Sequence, residues 1–414
     1  MIAWTLPEAW MIALRWILLL GPVGLVIAVV CLRQLSHRAQ IAGLFAFVYG
    51  VAMVFVSHSF AVWIGWWHFG WDALMLNGLP VDIIIGGAVL FGPGLYFSFP
   101  NTRPLMMCLP VIVGLHGTLF SSLEPLVFGG SHWFIGVLFV FAIAHLPSLY
   151  LAKWTEDDTH LPYRCALLAV MTGGLLFVFL PSLIMQAMGG SWDLFDRPLW
   201  AQCVTVIHLT IASLIGVSAN QTLCLQGGGT PIPLDPTKRL VTTGIYAYVS
   251  NPMQLSAALG CLILGAFLQN VWIMSASVMA WIFVQGMVRW HNRNDLLKRF
   301  PEGWPEFKAH VPEWLPRWKP WTPERGTITL CASSVRHLGI ASWLAGMDGL
   351  DIEWSDEATA TYTHPNNIYD FQGSCAIAVA LMHKNFACAL LSHAWLLLAL
   401  PWQAVARSAI RRHL

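Results

Sequence analysis

Residues 253–290 read MQLSAALGCLILGAFLQNVWIMSASVMAWIFVQGMVRW. No Asp, Glu, Lys or Arg occurs in them before Arg289, and two apolar runs are parted by Gln269-Asn270. An apolar run of about 20 residues is what crosses a bilayer as a helix. The stretch therefore predicts a tight helical hairpin, its first arm short and its second of full length. Working outward, comparable runs lie near 11–32, 41–65, 81–99, 105–121, 133–151, 165–188 and 199–217. With the hairpin arms at 253–268 and 271–290 they predict about nine spans.

The composition agrees. The 414 residues are 57% hydrophobic and 10% charged, against about 25% charged in soluble domains. Mean hydropathy is +0.63. A soluble globular domain, a disordered chain and a nucleic-acid binder with a basic face are all excluded. With the N-terminus outside, Arg33, Arg38, Arg103, Lys153, Arg164, Lys238 and Arg239 all fall in inner loops or beside them. Arg197 then lies in an outer loop and Arg15 at the start of the first helix. Glu8 followed by an apolar run from Met11 reads as an uncleaved first helix, with no basic n-region. This topology puts the C-terminal part in the cytoplasm, and the membrane expected is that of a bacterial cell. The 9 Cys contain no C-x-x-C, so most read as small buried hydrophobes.

Between the seventh and eighth runs lies a Gly/Pro-rich loop. It contains Gly227-Gly228-Gly229-Thr230-Pro231-Ile232-Pro233, Leu240-Val241-Thr242-Thr243-Gly244-Ile245-Tyr246 and Asn251-Pro252-Met253. A structureless loop of this length is uncommon without a function, and glycine lets bare backbone approach a ligand. After the hairpin come Leu296, Phe300, Trp304, Phe307, Val311-Pro312 and Trp314-Leu315-Pro316-Arg317. In these two blocks residues 215–320 resemble the isoprenylcysteine carboxyl methyltransferase and phospholipid methyltransferase superfamily.

The resemblance implies S-adenosylmethionine-dependent methyl transfer to a lipid-soluble or membrane-embedded acceptor. It implies that Gly227, Gly229, Thr230, Pro231, Gly244, Tyr246, Asn251 and Pro252 hold the cofactor, with His291 and Asn292 at its amino end. No catalytic residue is assigned. Three positions depart from the family pattern. Ser250 replaces an arginine, Asn292 and Arg293 stand where the family has paired glutamates, and Pro301 replaces a glycine. A membrane binding protein that kept the fold without the activity is the alternative these departures favour.

Residues 291–325 read as an amphipathic, interfacial segment. Beyond them, Thr327–Leu330 and Asp348–Trp354 are strand-like, Val335–Leu344, Gly373–Met382 and Ala387–Ile410 helix-like, and Thr361–Asn367 a turn-rich linker. The last helix ends in Arg407, Arg411 and Arg412. Cys331-Ala-Ser-Ser-Val335-Arg-His-Leu338, Gly373-Ser-Cys375-Ala376-Ile377 and Trp395 to Arg411 resemble, more weakly, the thioredoxin-like DCC thiol-disulfide oxidoreductase family. Cys331 matches its second cysteine and Ile328 stands where the first belongs. Cys375 is the substitute partner, which leaves a membrane thiol redox protein as a further alternative.

The fold expected is an all-α polytopic membrane protein of about nine transmembrane helices with a small C-terminal α/β thioredoxin-like domain. The domains are 1–217, 218–325 and 326–414. His58, His116, His145 and His208, with Gln202, are polar groups in apolar surroundings. They read as interhelical hydrogen-bond partners, since no pair of these histidines has the i, i+3 or i+4 spacing of a local metal site. The cluster Trp63-Ile-Gly-Trp66-Trp67-His68 reads as an interfacial aromatic belt. Glu124, Asp193 and the run Glu156-Asp157-Asp158 read as solvated.

Overall fold

The computed structural model describes residues 8–70, 74–116, 124–364 and 371–411, with the side chains at 111, 115, 116 and 401–411 left out. His116, Arg407, Arg411 and Arg412, singled out above, lie outside that description. The chain divides into two compact units, 1–191 and 192–414. Among the described residues six helices are long and apolar enough to cross a membrane, which fits an integral membrane protein. Three other predicted runs form the shorter apolar helices Asp82–Ser98, Pro104–Gly114 and Pro252–Leu268.

The first unit holds α1 (Glu8–Leu32), α2 (His37–Ile64), α3 (Asp82–Ser98), α4 (Pro104–Gly114), α5 (Trp133–Glu156) and α6 (Leu161–Met188). Ser36 caps α2, its hydroxyl accepting the Ala39 N–H. Gly65 closes it at φ 80°, the left-handed conformation that suits glycine. α2 is the central element because its packing face is small. A Cβ on Gly50 would lie 3.1 Å from Ala88 of α3, so the two backbones meet closely. α1 is pinned to α3 instead. Arg15 and Asp82 form a buried ion pair at 3.1 Å, and Arg15 also reaches the Gly70 carbonyl. One turn on, Gly86 lies so near that a Cβ would meet the Leu18 carbonyl at 2.1 Å.

Short β segments close one end of this unit. Trp67–Phe69 (β1) pairs antiparallel with Val127–Gly129. Met75–Leu76 (β2) and Leu79–Pro80 (β3) form a hairpin about Asn77-Gly78, both at positive φ. The aromatic cluster is thus not a belt throughout. Trp63 is exposed, whereas Trp67 is buried on its strand because Gly136 leaves room for its ring. The acidic run is not simply solvated either. Tyr96 donates to Glu156, and Asp158 takes both Arg38 and the fully buried Arg164 at 3.0 Å. Of the histidines, one makes an interhelical contact and one bonds within its own helix. His145 stacks on Phe91, while His208, in the second unit, bonds the Val204 carbonyl of its own helix. Gln202 caps its helix start through the Arg197 carbonyl.

The second unit begins with α7 (Leu199–Gly227), so the seventh helix belongs with the residues that follow it. α7 packs on α8 (Pro252–Leu268), and α8 on α9 (Val271–Arg299). The hairpin forms where the sequence places it. Gln269 is left-handed at φ 56°, and the Asn270 side chain accepts the N–H groups of Trp272 and Ile273. Helix α9 does not stop near Trp290 but continues to Arg299. Its charged end remains helical, and the Asp295–Arg299 pair at i, i+4 supports it. α10 (Gly303–His310) follows.

The C-terminal part forms a four-stranded sheet of β5 (Gly326–Cys331), β6 (Leu350–Ser355), β7 (Thr361–Thr363) and β8 (Phe371–Gln372), in the order β6-β5-β7-β8; the Val127–Gly129 strand of the first unit carries the label β4. β5 and β6 are parallel, joined through α11 (Val335–Leu344), and β7 is antiparallel to β5. Thr361–Thr363 is therefore a sheet strand rather than a linker. α12 (Ser374–Leu381) and α13 (Phe386–Arg411) complete the unit. The core of this sheet takes in Ala247 and Tyr248 of the Gly/Pro-rich loop. Tyr248 donates its hydroxyl to the Met382 carbonyl.

Candidate functional site

The loop after α7 folds back on itself. Gly228 ends the helix at φ 69°, and the Gly227 carbonyl accepts the N–H groups of Lys238 and Arg239 at 2.8 and 3.2 Å. The Thr230 N–H and hydroxyl both reach the Asp235 carbonyl. A Cβ on Gly227 would meet Thr237 at 2.7 Å, and one on Gly229 would meet the Pro236 carbonyl at 2.4 Å. The bare backbone of both glycines is covered by the loop's own return segment. The sequence suggests a cradle at this point, and the structure fills it with residues 236–241.

Further along, Gly244 opens a 3-10 turn at φ 58°, with Thr222 and His393 where its Cβ would stand. Tyr246 is half-buried there, and burial pushes its phenol pKa upward. Asn251 is buried at the N-cap of α8, its carbonyl accepting the Leu255 N–H, and Pro252 occupies the first turn, where its missing N–H costs nothing.

The two sequence blocks come together here. The Ser250 N–H donates to the Pro312 carbonyl, Arg317 N–H to Tyr248, and Trp321 N–H to Ala247. Ser250 stands where the resemblance expects an arginine, and a cation comes from elsewhere. Lys308 on α10 donates to Ser250 Oγ at 3.2 Å and to Glu313 at 2.8 Å. Arg289 lies 3.5 Å from the same Glu313 carboxylate. These cations, Lys308 first, hold the Glu313 carboxyl below its ordinary range.

His291 and Asn292 are half-buried on α9, and Arg293 is exposed, turned away from them. A carboxylate is present two positions beyond the expected pair. Asp295 lies 3.5 Å from His291 Nε2 and is clamped by Arg299, which also donates to the Thr237 carbonyl at 2.7 Å. The end of α9 is thereby tied to the loop at 237 through Arg299 and to Ser250 through Glu313 and Lys308. Lys308, Glu313, Asp295 and Arg299 were not singled out from the sequence. The i, i+4 spacing of the last two was the available signal.

The cysteines sit apart from these groups. Cys331 ends β5, buried, with its N–H on His337 Nδ1 at 2.9 Å and its sulfur 3.2 Å from Ser333 Oγ. Cys375 is buried in α12, and neither cysteine is in a disulfide. Beside Gly244 a cavity of about 20 Å³, lined in part by Gln226, Glu324, Tyr362, His364 and His383, is of the size that holds one water. Among the described residues no three His, Cys, Asp or Glu are grouped to hold a metal ion.

His383 belongs to a buried chain. Its Nδ1 faces the Asp348 carbonyl at 3.3 Å, so this nitrogen carries the proton, and Tyr362 donates to Nε2 at 2.8 Å. Burial lowers its pKa from 6.5 to about 4. The unfolded chain takes up a proton near pH 6.5, whereas the folded one does so only near pH 4. Stability is therefore intact above pH 6.5 and falls as the pH drops toward 4, by roughly 3 kcal/mol in all. Thermal melts from pH 7 to 4.5 should show this decline, and His383→Gln should flatten it by one proton. Equal slopes in the two proteins would rule the assignment out.

Compared with known proteins, the chain matches no family model, no curated protein and no solved structure.

Proposed function

We propose that the second unit is an S-adenosylmethionine-dependent methyltransferase core acting on a lipid-soluble or membrane-embedded acceptor. What supports the reading is the joining of two sequence blocks, 227–253 and 296–317, across a hairpin into one hydrogen-bonded body. The charged groups on α10 and at the end of α9 fit the amino-acid end of such a cofactor. Lys308 offers a cation to a carboxylate, and Asp295 an anion to an ammonium. The glycines at 227 and 229 do not fit the role of cradle, since the chain itself covers them. Tyr246, Asn251, His291 and Asn292 remain as holding residues, with Lys308 in place of the family arginine.

S-adenosylmethionine, when bound, supplies a methyl group activated on a sulfonium. The task left to the chain is to align donor and acceptor and to exclude water. A Lys308 ammonium bonded to the cofactor carboxylate contributes about 1.5–3 kcal/mol. Lys308→Ala is accordingly expected to weaken cofactor binding roughly 10- to 100-fold in calorimetry on the detergent-purified protein, as are Tyr246→Ala and Asn251→Ala. No binding to a demonstrably folded wild type at millimolar cofactor ends the enzyme reading. The glycine stretch closed by its own return segment would then favour the second reading, a membrane binding protein that kept the fold.

The architecture we assign is nine spans with a thioredoxin-like C-terminal domain on the cytoplasmic side. The sheet order β6-β5-β7-β8, with a parallel β-α-β unit and an antiparallel hairpin, supports the domain assignment. Arg197 Nη1 bonds Gln269 at the hairpin tip at 2.8 Å. Nine spans place both of those loops on one side of the membrane, as this contact requires.

A further inference from the structure

The first unit carries an open cleft that the methyl-transfer reading does not use. α1 lies along α3, with Arg15 on Asp82, Leu18 against Gly86 and, further on, Leu25 beside Gly94. Past Pro22, which sits inside α1, a cleft opens between α1 and α2 with α3 behind it. Val23, Ile27 and Val30 of α1 line one wall of the cleft, Gly43 and Phe47 of α2 another, and Phe97 of α3 a third, around about 430 Å³. Apart from Gln40 the lining is apolar. Ile27, Val30 and Leu44 are exposed, so the cleft opens outward.

One cation stands at the end of this cleft. Arg33 follows α1 directly and donates Nη1 to the carbonyl of the wall residue Phe97 at 2.9 Å. The residue is otherwise exposed. An apolar trench that opens along a membrane helix, with a guanidinium held at its polar end by the trench's own backbone, matches one ligand chemistry. That ligand has a hydrocarbon chain and an anionic head. The cleft has the volume of a small-ligand site, about 300–1,000 Å³. Three turns of a helix about 10 Å across displace more, on the order of 1,200 Å³, so one chain suits the space better than a helix of a second copy.

We propose that this cleft binds one hydrocarbon chain of an anionic phospholipid, with the phosphate on Arg33. The inference stands apart from methyl transfer, because every residue it uses lies in the first unit.

The test is native mass spectrometry of the full-length protein offered equal phosphatidylglycerol and phosphatidylcholine. The wild type should retain the anionic lipid about fivefold better, the worth of one arginine near an anionic headgroup. Arg33→Gln should equalise the two lipids. Val30→Trp, which fills the cleft from an exposed position, should lose both. Arg33→Gln leaves the cleft unfilled, so it reads the same site even where Val30→Trp fails to fold. Equal retention of both lipids by the wild type overturns the role of Arg33. Undiminished lipid on a folded Val30→Trp protein overturns the cleft as the site. A lipid-free wild-type dimer that Val30→Trp converts to monomer overturns the proposal in favour of a second copy.

Discussion

Replacing Asp82 with alanine should destabilise the first unit by about 3–5 kcal/mol, the cost of leaving a buried charge without its partner. Both Asp82 oxygens lie 3.1 Å from Arg15 Nη1, and the two side chains are buried. The pair sits between α1 and α3, with both side chains less than a tenth exposed. Removing both charges has a different consequence. Arg15→Met combined with Asp82→Leu should recover most of the loss, since no orphaned ion remains. Thermal unfolding in detergent, followed by labelling of the buried thiols Cys108 and Cys165, reads both variants. A single variant that melts like the wild type, or a double variant as weak as the single one, would show that the pair does not fasten α1.

The second large effect is expected at Gly229. Alanine there places a Cβ 2.4 Å from the Pro236 carbonyl and 2.5 Å from the Thr237 Cα. These are backbone atoms, so relief requires the loop to open. Overpacking of this kind costs about 1–3 kcal/mol, and the Thr230–Asp235 bonds are lost with the turn. The Gly229→Ala protein should therefore melt lower in the absence of any ligand. A glycine that served only a bound cofactor would give the opposite pattern, an unchanged melt with weakened binding. The two roles are separated by a measurement on the ligand-free protein alone.

Much of the helical layout was legible because bilayer-length apolar runs and their breaks are strong signals. Gln269-Asn270 marked the hairpin, and Val335–Leu344 and Thr327–Leu330 marked a helix and a strand that the structure contains. The failures share a cause. Thr361–Thr363 reads as a turn by composition, yet β5 offers it an open edge. Trp67 reads as an interfacial aromatic, yet residues 127–129, distant in sequence, recruit it into a strand pair. The acidic run at 156–158 looks solvated until Tyr96, Arg38 and Arg164 converge on it from other helices. Helix α9 overruns its apolar limit because its charged end pairs along its own face. In the candidate site the glycines were visible, but not what lies against them. Lys308 could not be seen as a partner of Ser250, 58 residues earlier in the chain. Apart from the α9 overrun, whose i, i+4 pair is local, each miss is a tertiary partner that no local pattern encodes.

The hairpin of α8 and α9 also constrains how the protein is made. α8 has 17 residues, short for a stable span by itself. During synthesis it emerges before the second arm, with only α7 and Arg197 already in place to meet it. The Asn270 carbonyl oxygen of the side chain finds its donors on Trp272 and Ile273, and Gly265 fits against the Met274 backbone. All of these lie in the arm that emerges later. The two arms must therefore leave the insertion machinery together, as one inserting unit. A chain ending at residue 270 should keep that end open to labelling from the side where α8 enters, and about 20 further residues should carry it across.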